Sequence, residues 1–273
     1  MQDLSAQTRS IRENILAMLV EAGSGHPGGS LGSVEIFAAL YFNVIKHDPK
    51  NSTWNERDRV LLSAGHLCPV LYATLAQAGY FEMGELLTLR KFGSRLQGHP
   101  EFANSKNLPG IENTSGPLGQ GLSQSIGIAL SFKLDNISNH VYCVMSDGEQ
   151  QEGQTMEALL YAGSNHIDNL TILIDRNNIQ LSGNTKDILP LGNFRQRIRH
   201  FGWHVIEVDG NNTEEITNAC QIAKNIKFRP TAIICHTIPG KGVSFMENDY
   251  TWHGKKLSQE DYQKAINELT KKI

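Results

Sequence analysis

Asp147 and Asn177 are the residues of this chain best placed to do chemistry. The apolar run His140-Val141-Tyr142-Cys143-Val144-Met145 leads into Ser146-Asp147-Gly148-Glu149. A second run, Leu170-Thr171-Ile172-Leu173-Ile174, leads into Asp175-Arg176-Asn177-Asn178-Ile179. Both runs read as buried parallel strands, with a helical stretch from Met156 to Ala162 between them. Asp147 and Asn177 then fall at the carboxyl ends of two strands of one βαβ unit, the edge where open α/β sheets bind ligands. One carboxylate, one side-chain amide and a nearby main-chain carbonyl make an all-oxygen set suited to a small hard cation. Mg²⁺ in such a set keeps part of its coordination for phosphate oxygens. The chemistry is that of holding a diphosphate through a metal. Asp-Gly turns and Asn-Asn loops are also common as plain punctuation, so the pair alone is weak.

Four histidines add to it, each in a glycine-flanked segment: Gly25-His26, Gly65-His66, Gly98-His99 and His253-Gly254. Imidazole donates, accepts and shuttles protons near neutral pH. A lone histidine is more often a hydrogen-bonded structural residue, and His47, His140, His166, His200, His204 and His236 are read that way. No histidine pair has the helical spacing of a zinc site.

The elements that must position these residues alternate along the chain. Helical spacing of apolar residues runs from Leu4 to Glu21 and again from Val34 to Val44. A strand, Arg59 to Ser63, is followed by a helix from about Pro69 to Ala78, and Gly119 to Leu134 reads as a helix rich in small residues. Later strands are His204–Val208 and Thr231–Cys235, around a helix capped near Asn212. This alternation predicts an α/β fold, a mainly parallel doubly wound sheet with helices on both faces. We expect one domain over 1–273, with a short C-terminal helix at about 258–270 as an appendage.

Composition excludes several function classes. The chain is 40% apolar with net charge −3, and no basic block tracks a nucleic-acid backbone. No apolar stretch approaches a membrane span, and the start, Met1-Gln2-Asp3-Leu4, lacks the regions of a signal peptide. A cytoplasmic protein without nucleic-acid or membrane partners is expected. Cys68, Cys143, Cys220 and Cys235 have no metal or redox spacing and read as buried thiols, which makes Asn136-Ile137-Ser138 an incidental glycosylation match.

The Asp147 and Asn177 segments resemble the thiamine-diphosphate motif, a GDG followed some way on by an asparagine pair, with Ser146 in place of the first glycine. A small residue with negative φ suits that turn. Further blocks stand in order: Gly25-His26-Pro27-Gly28-Gly29-Ser30, Ser63-Ala64-Gly65-His66, Gln97-Gly98-His99-Pro100-Glu101, Thr114-Ser115-Gly116-Pro117-Leu118-Gly119-Gln120-Gly121 and Trp252-His253-Gly254. Together they cover nearly the whole chain, which resembles the first half of transketolases. At 273 residues it is similar to the N-terminal subunit of a split transketolase.

The resemblance implies a set of roles. Asp147, Asn177 and the main-chain carbonyl of Ile179 hold Mg²⁺, or another divalent cation such as Ca²⁺ or Mn²⁺. His66, Gly116, Leu118, Gly148, Asn177 and His253 bind thiamine diphosphate, while His26, His99 and His253 face the sugar. Glu152 matches a carboxylate near the dimer interface, although an acid favoured by a helix N-terminus is its plain alternative. Glu149 matches no clear role and is expected on the surface or near the diphosphate mouth. The helix opening at Gly121 and Leu122 lies near the site, with its orientation to phosphate left open. The implied partner is a C-terminal subunit carrying the pyrimidine-binding and C-terminal domains, in an α₂β₂ assembly acting on sugar phosphates. Two other readings compete. The α subunit of a 2-oxoacid dehydrogenase shares the metal motif but lacks the histidine set, which also disfavours a synthase joining pyruvate to a triose phosphate. A non-catalytic cofactor-binding subunit is the reading from another class.

Overall fold

The structure, a computed structural model, describes residues 2–102 and 108–271. Five parallel strands form its sheet: β1 (Arg59–Leu62), β2 (Val141–Ser146), β3 (Leu170–Arg176), β6 (His204–Asp209) and β7 (Thr231–His236). A small antiparallel ribbon, β4 (Ile179–Gln180) with β5 (Gly183–Asn184), follows β3. The sheet order is β1-β2-β3-β7-β6, so β2 and β3 are neighbours and Ser146 lies beside Asp175 in their register.

The helices are α1 (Ser5–Ala22), α2 (Pro27–Gly32), α3 (Val34–Ala39), α4 (Cys68–Gln77), α5 (Gln120–Leu134), α6 (Gly153–Ser164), α7 (Thr185–Ile188), α8 (Phe194–His200), α9 (Thr213–Asn225) and α10 (Gln259–Lys271). They cover both sheet faces, because consecutive strand residues point to opposite sides. Tyr142 and Val144 join Leu173 and Ile233 in a core with α1, α3, α4 and α9. Val141, Cys143 and Met145 join Ile172 and Ile234 in a second core with α5, α6 and α8. All four cysteines are free and buried in these layers. The expected α/β alternation is therefore present, and strand ends differ by a residue or two.

Two elements depart from expectation. The stretch from Val34 to Val44 is not one α-helix. It turns π-helical over Leu40–Val44, where the N–H of Ile45 reaches back to the carbonyl of Leu40 at 2.9 Å. The C-terminal helix packs on α1 and buries Ala265 and Leu269, so it is part of the core rather than loosely appended.

Gly163, near the end of α6, shows how closely the second layer is fitted. A Cβ there would fall 1.7 Å from the carbonyl oxygen of Phe201. Gly163→Ala should cost about 1–3 kcal/mol, the usual range for an overpacked core, because α6 must back away from that turn. A urea denaturation midpoint unchanged from the parent chain would show that the turn yields freely.

Candidate active site

Asp147 sits at the junction of β2 and its following turn, with no solvent exposure. One carboxylate oxygen accepts from the N–H of Gly148 at 2.8 Å. The other accepts from the N–H of Asn178 at 2.8 Å and the hydroxyl of Thr185 at 3.4 Å. Burial pushes its carboxyl up to about 6, against the pull of these donors. No lysine or arginine forms an ion pair with it among the described residues.

Across the β2–β3 pair, Asn177 donates its amide nitrogen to Asp175 at 2.7 Å, and its Oδ1 accepts from the N–H of Ile179 at 3.0 Å. Asp175 is fully buried and also accepts from the hydroxyl of Thr237. Burial raises its carboxyl to about 7. Asp175 thereby settles which way the Asn177 amide faces. The turn after it is tight enough that Asn178 takes a left-handed φ of 62°, which asparagine tolerates. Ser146 needs no such conformation: it closes β2 as an ordinary strand residue.

The four glycine-flanked histidines converge above this turn. His26 lies just before α2, His66 in the turn after β1, His99 in a loop, and His253 in a single helical turn at Tyr250–His253. Ring centroids are 5.1 Å apart for His66 and His253, 5.4 Å for His26 and His66, 5.6 Å for His26 and His253, and 6.5 Å for His26 and His99. Small residues permit the approach. A Cβ at Gly28 would meet the carbonyl of Trp252 at 3.0 Å, and one at Gly29 would meet Leu67 at 2.7 Å.

Burial first, then the charges of its neighbours, lowers His26 to about 4. His66 is pushed well below the ordinary range by burial and by His253, His26 and His99. Burial also lowers His99 and His253. Neutral imidazoles each keep one donor and one acceptor nitrogen. The Nδ1 atoms of His26 and His253 are buried without a hydrogen-bond partner.

One open cleft of about 360 Å³ collects the sequence-predicted residues. His26, His66, His99 and His253 form one side, with Gly116 and Leu118 beside them. Gly148, Asn177 and Ile179 lie on the side above Asp147, and Glu152 stands exposed at the mouth. Asp147 itself is beneath the surface. The donors on the metal side are oxygens alone: a buried carboxylate without an ion-pair partner among the described residues, an oriented amide and a main-chain carbonyl. That set fits a hard divalent cation.

Sequence reasoning misses four residues. Of the two places expected for Glu149, the surface is wrong, while the second fits: it lines the cleft, yet it is completely buried, its carboxylate taken up by Ser63, Gly119 and Ser146. Asp175 stands two residues before Asn177, a spacing at which an aspartate can orient the asparagine, and that is the signal that could have found it. Gln180 and Leu181 complete the cleft from the ribbon, which is too short for any periodic signal.

An open parallel sheet with an oxygen-lined turn at its carboxyl edge defines a diphosphate-cofactor domain. The family described as transketolase, thiamine diphosphate binding domain, matches residues 5–272. The chain belongs to the transketolase family. It is 43% identical over 269 residues to the 6-deoxy-6-sulfo-D-fructose transketolase subunit SqwG of Clostridium sp. (strain MSTE9), covering 98% of this chain and 97% of that protein. It is 36% identical over 272 residues to one subunit of the apulose-4-phosphate transketolase of Phocaeicola vulgatus, covering 100% of this chain and 95% of that one. Among solved structures, Campylobacter jejuni transketolase superposes with a TM-score of 0.91 at 33% identity. That match covers 99% of this chain but 43% of the other. No helix among the described residues is long and apolar enough to cross a membrane.

Proposed function

We propose that this chain is the N-terminal subunit of a two-chain transketolase, moving a two-carbon ketol unit from a ketose phosphate to an aldose phosphate. The observation that carries this reading is the convergence of His26, His66, His99 and His253 over the Asp147–Asn177 turn in one cleft. Near end-to-end coverage of the two subunit relatives, against 43% of a longer transketolase, supports the two-chain layout. The relatives' names point to different sugars, so pentose phosphates are proposed only as the default class. We place the protein in the cytoplasm, as one domain over 1–273 in an α₂β₂ assembly. Its partner carries the pyrimidine-binding and C-terminal domains, and Glu152 at the cleft mouth lies toward the interface.

Asp147, Asn177 Oδ1 and the Ile179 carbonyl would hold Mg²⁺. His66, Gly116, Leu118, Gly148, Asn177 and His253 would line thiamine diphosphate. When bound, that cofactor supplies the carbon nucleophile and electron sink that C–C cleavage needs. This chain's own work is to exclude water, fix the diphosphate end and handle protons at the sugar. Neutral His26, His99 and His253 can each donate to a carbonyl oxygen or accept from a hydroxyl without a prior ionisation step.

His26→Ala, tested in the assembled enzyme, should leave thiamine-diphosphate affinity nearly intact, whereas His253→Ala, which removes a group that also lines the cofactor, should weaken it. Turnover in a ketol-transfer assay should fall by about two to four orders of magnitude, the range for a lost proton-transfer group. For His26, retained turnover with lost cofactor affinity would reverse the assignment and place it on the cofactor.

A further inference from the structure

Glu149 has no place in the roles above, yet the fold surrounds its side chain with donors. Its Oε1 accepts from the Ser63 hydroxyl and, at 2.5 Å, from the N–H of Gly119. Its Oε2 accepts from the N–H of Ser146 at 3.3 Å. Ser63 follows β1, Ser146 ends β2, and Gly119 is the residue before α5, so one side chain joins three segments of the carboxyl edge. The Ser63 hydroxyl in turn accepts from the N–H of Gly121 at 3.0 Å, and the Glu149 carbonyl accepts from Thr155 at 3.0 Å. No lysine, arginine or histidine forms an ion pair with Glu149 among the described residues. Burial pushes the Glu149 carboxyl up, and the hydrogen bonds from Ser63, Gly119 and Ser146 oppose that shift by favouring the carboxylate. The first turn of α5 is thus occupied from within the protein, and its N–H groups at 119 and 121 are not free for a phosphate.

The segment fixed in this way carries Gly116 and Leu118, which line the cleft together with the metal turn. It is tightly seated: a Cβ on Gly65 would lie 2.8 Å from the Gly116 nitrogen and 3.0 Å from the His99 ring. Neither Gly116 nor Leu118 offers a charged group, and Leu118 presents an apolar side chain suited to a ring rather than a diphosphate.

We infer that Glu149 is a positioning residue: its carboxylate holds the 116–121 segment at the spacing from the Asp147–Gly148 turn that a ring-bearing diphosphate ligand needs. This rests on the proposed function and deepens it, separating recognition of the ring from capture of the diphosphate. Glu149→Gln keeps the size but sets an NH₂ group against donors, leaving at least one of them unpaired.

Calorimetry on the enzyme assembled with its partner subunit, at saturating Mg²⁺ and with thiamine diphosphate and inorganic pyrophosphate as separate ligands, tests it. Glu149→Gln should weaken thiamine diphosphate by about tenfold or more, the effect of one lost charge-assisted bond, while pyrophosphate changes less than about twofold. Ser63→Ala, which removes one donor and no charge, should move thiamine diphosphate the same way by a smaller factor, and it carries the test if the Glu149 variant does not fold. Equal weakening of both ligands, or of neither, overturns the inference. If the unsubstituted assembled enzyme binds pyrophosphate but no better with the thiamine moiety attached, the functional reading itself falls, and this inference with it.

Discussion

Asp147→Ala is expected to abolish Mg²⁺-dependent thiamine-diphosphate binding in the assembled enzyme. The side chain is the only charged member of the oxygen set. Its removal would leave the N–H groups of Gly148 and Asn178 without their acceptor as well. Asn177→Ala should weaken binding strongly, and Asn178→Ala less, because Asn178 contributes its backbone N–H to Asp147 rather than its side chain. The same carboxylate predicts a pH dependence. With its carboxyl raised to about 6 in the metal-free chain, a proton competes with the cation. Apparent Mg²⁺ affinity should be full well above pH 6 and fall as pH drops through it, by up to about tenfold per pH unit. Calorimetry that finds cofactor affinity unchanged in the Asp147 variant would sink the metal assignment.

Purified alone, the chain should show no ketol transfer from xylulose 5-phosphate to ribose 5-phosphate at any cofactor concentration. In the proposed enzyme the pyrimidine-binding domain is on the partner subunit, so turnover should appear only on mixing. The isolated chain should also self-associate. Leu181, Ile188 and Leu189 stand exposed in and after the ribbon that lines the cleft, as do Leu160 and Tyr161 on α6. Apolar surface of this kind is seldom left bare. Light scattering and activity measured on the same mixture check both points. Full activity from this polypeptide by itself would end the two-chain reading.

The sheet is legible in the sequence because its strands are local and the central ones are almost wholly apolar. His140–Met145 and Leu170–Ile174 each run into a polar turn, and that alone places Asp147 and Asn177 on one edge. The histidines are legible only through the glycine-rich blocks around them, since nothing in a single histidine shows that four will meet. Glu149 misleads because its partners are distant: Ser63 lies 86 residues away and Gly119 30. A glutamate between polar neighbours has every local mark of a surface residue, and only the fold reveals three donors waiting for it. The π-helical turn at Leu40–Val44 is hidden for a related reason. It changes the hydrogen-bond register without changing the apolar pattern that a periodicity reads.

The position of His253 sets the order in which the molecule can become whole. Its turn comes after the last strand, yet it closes against His26, which comes before the first. A contact between residues this far apart in sequence carries a high closure cost and forms late in folding. During synthesis the sheet edge, the Asp147 turn and three of the histidines can be in place while the fourth wall is still on the ribosome. Tight capture of a ligand against His253 is therefore a report that the chain has emerged and folded at least as far as that turn.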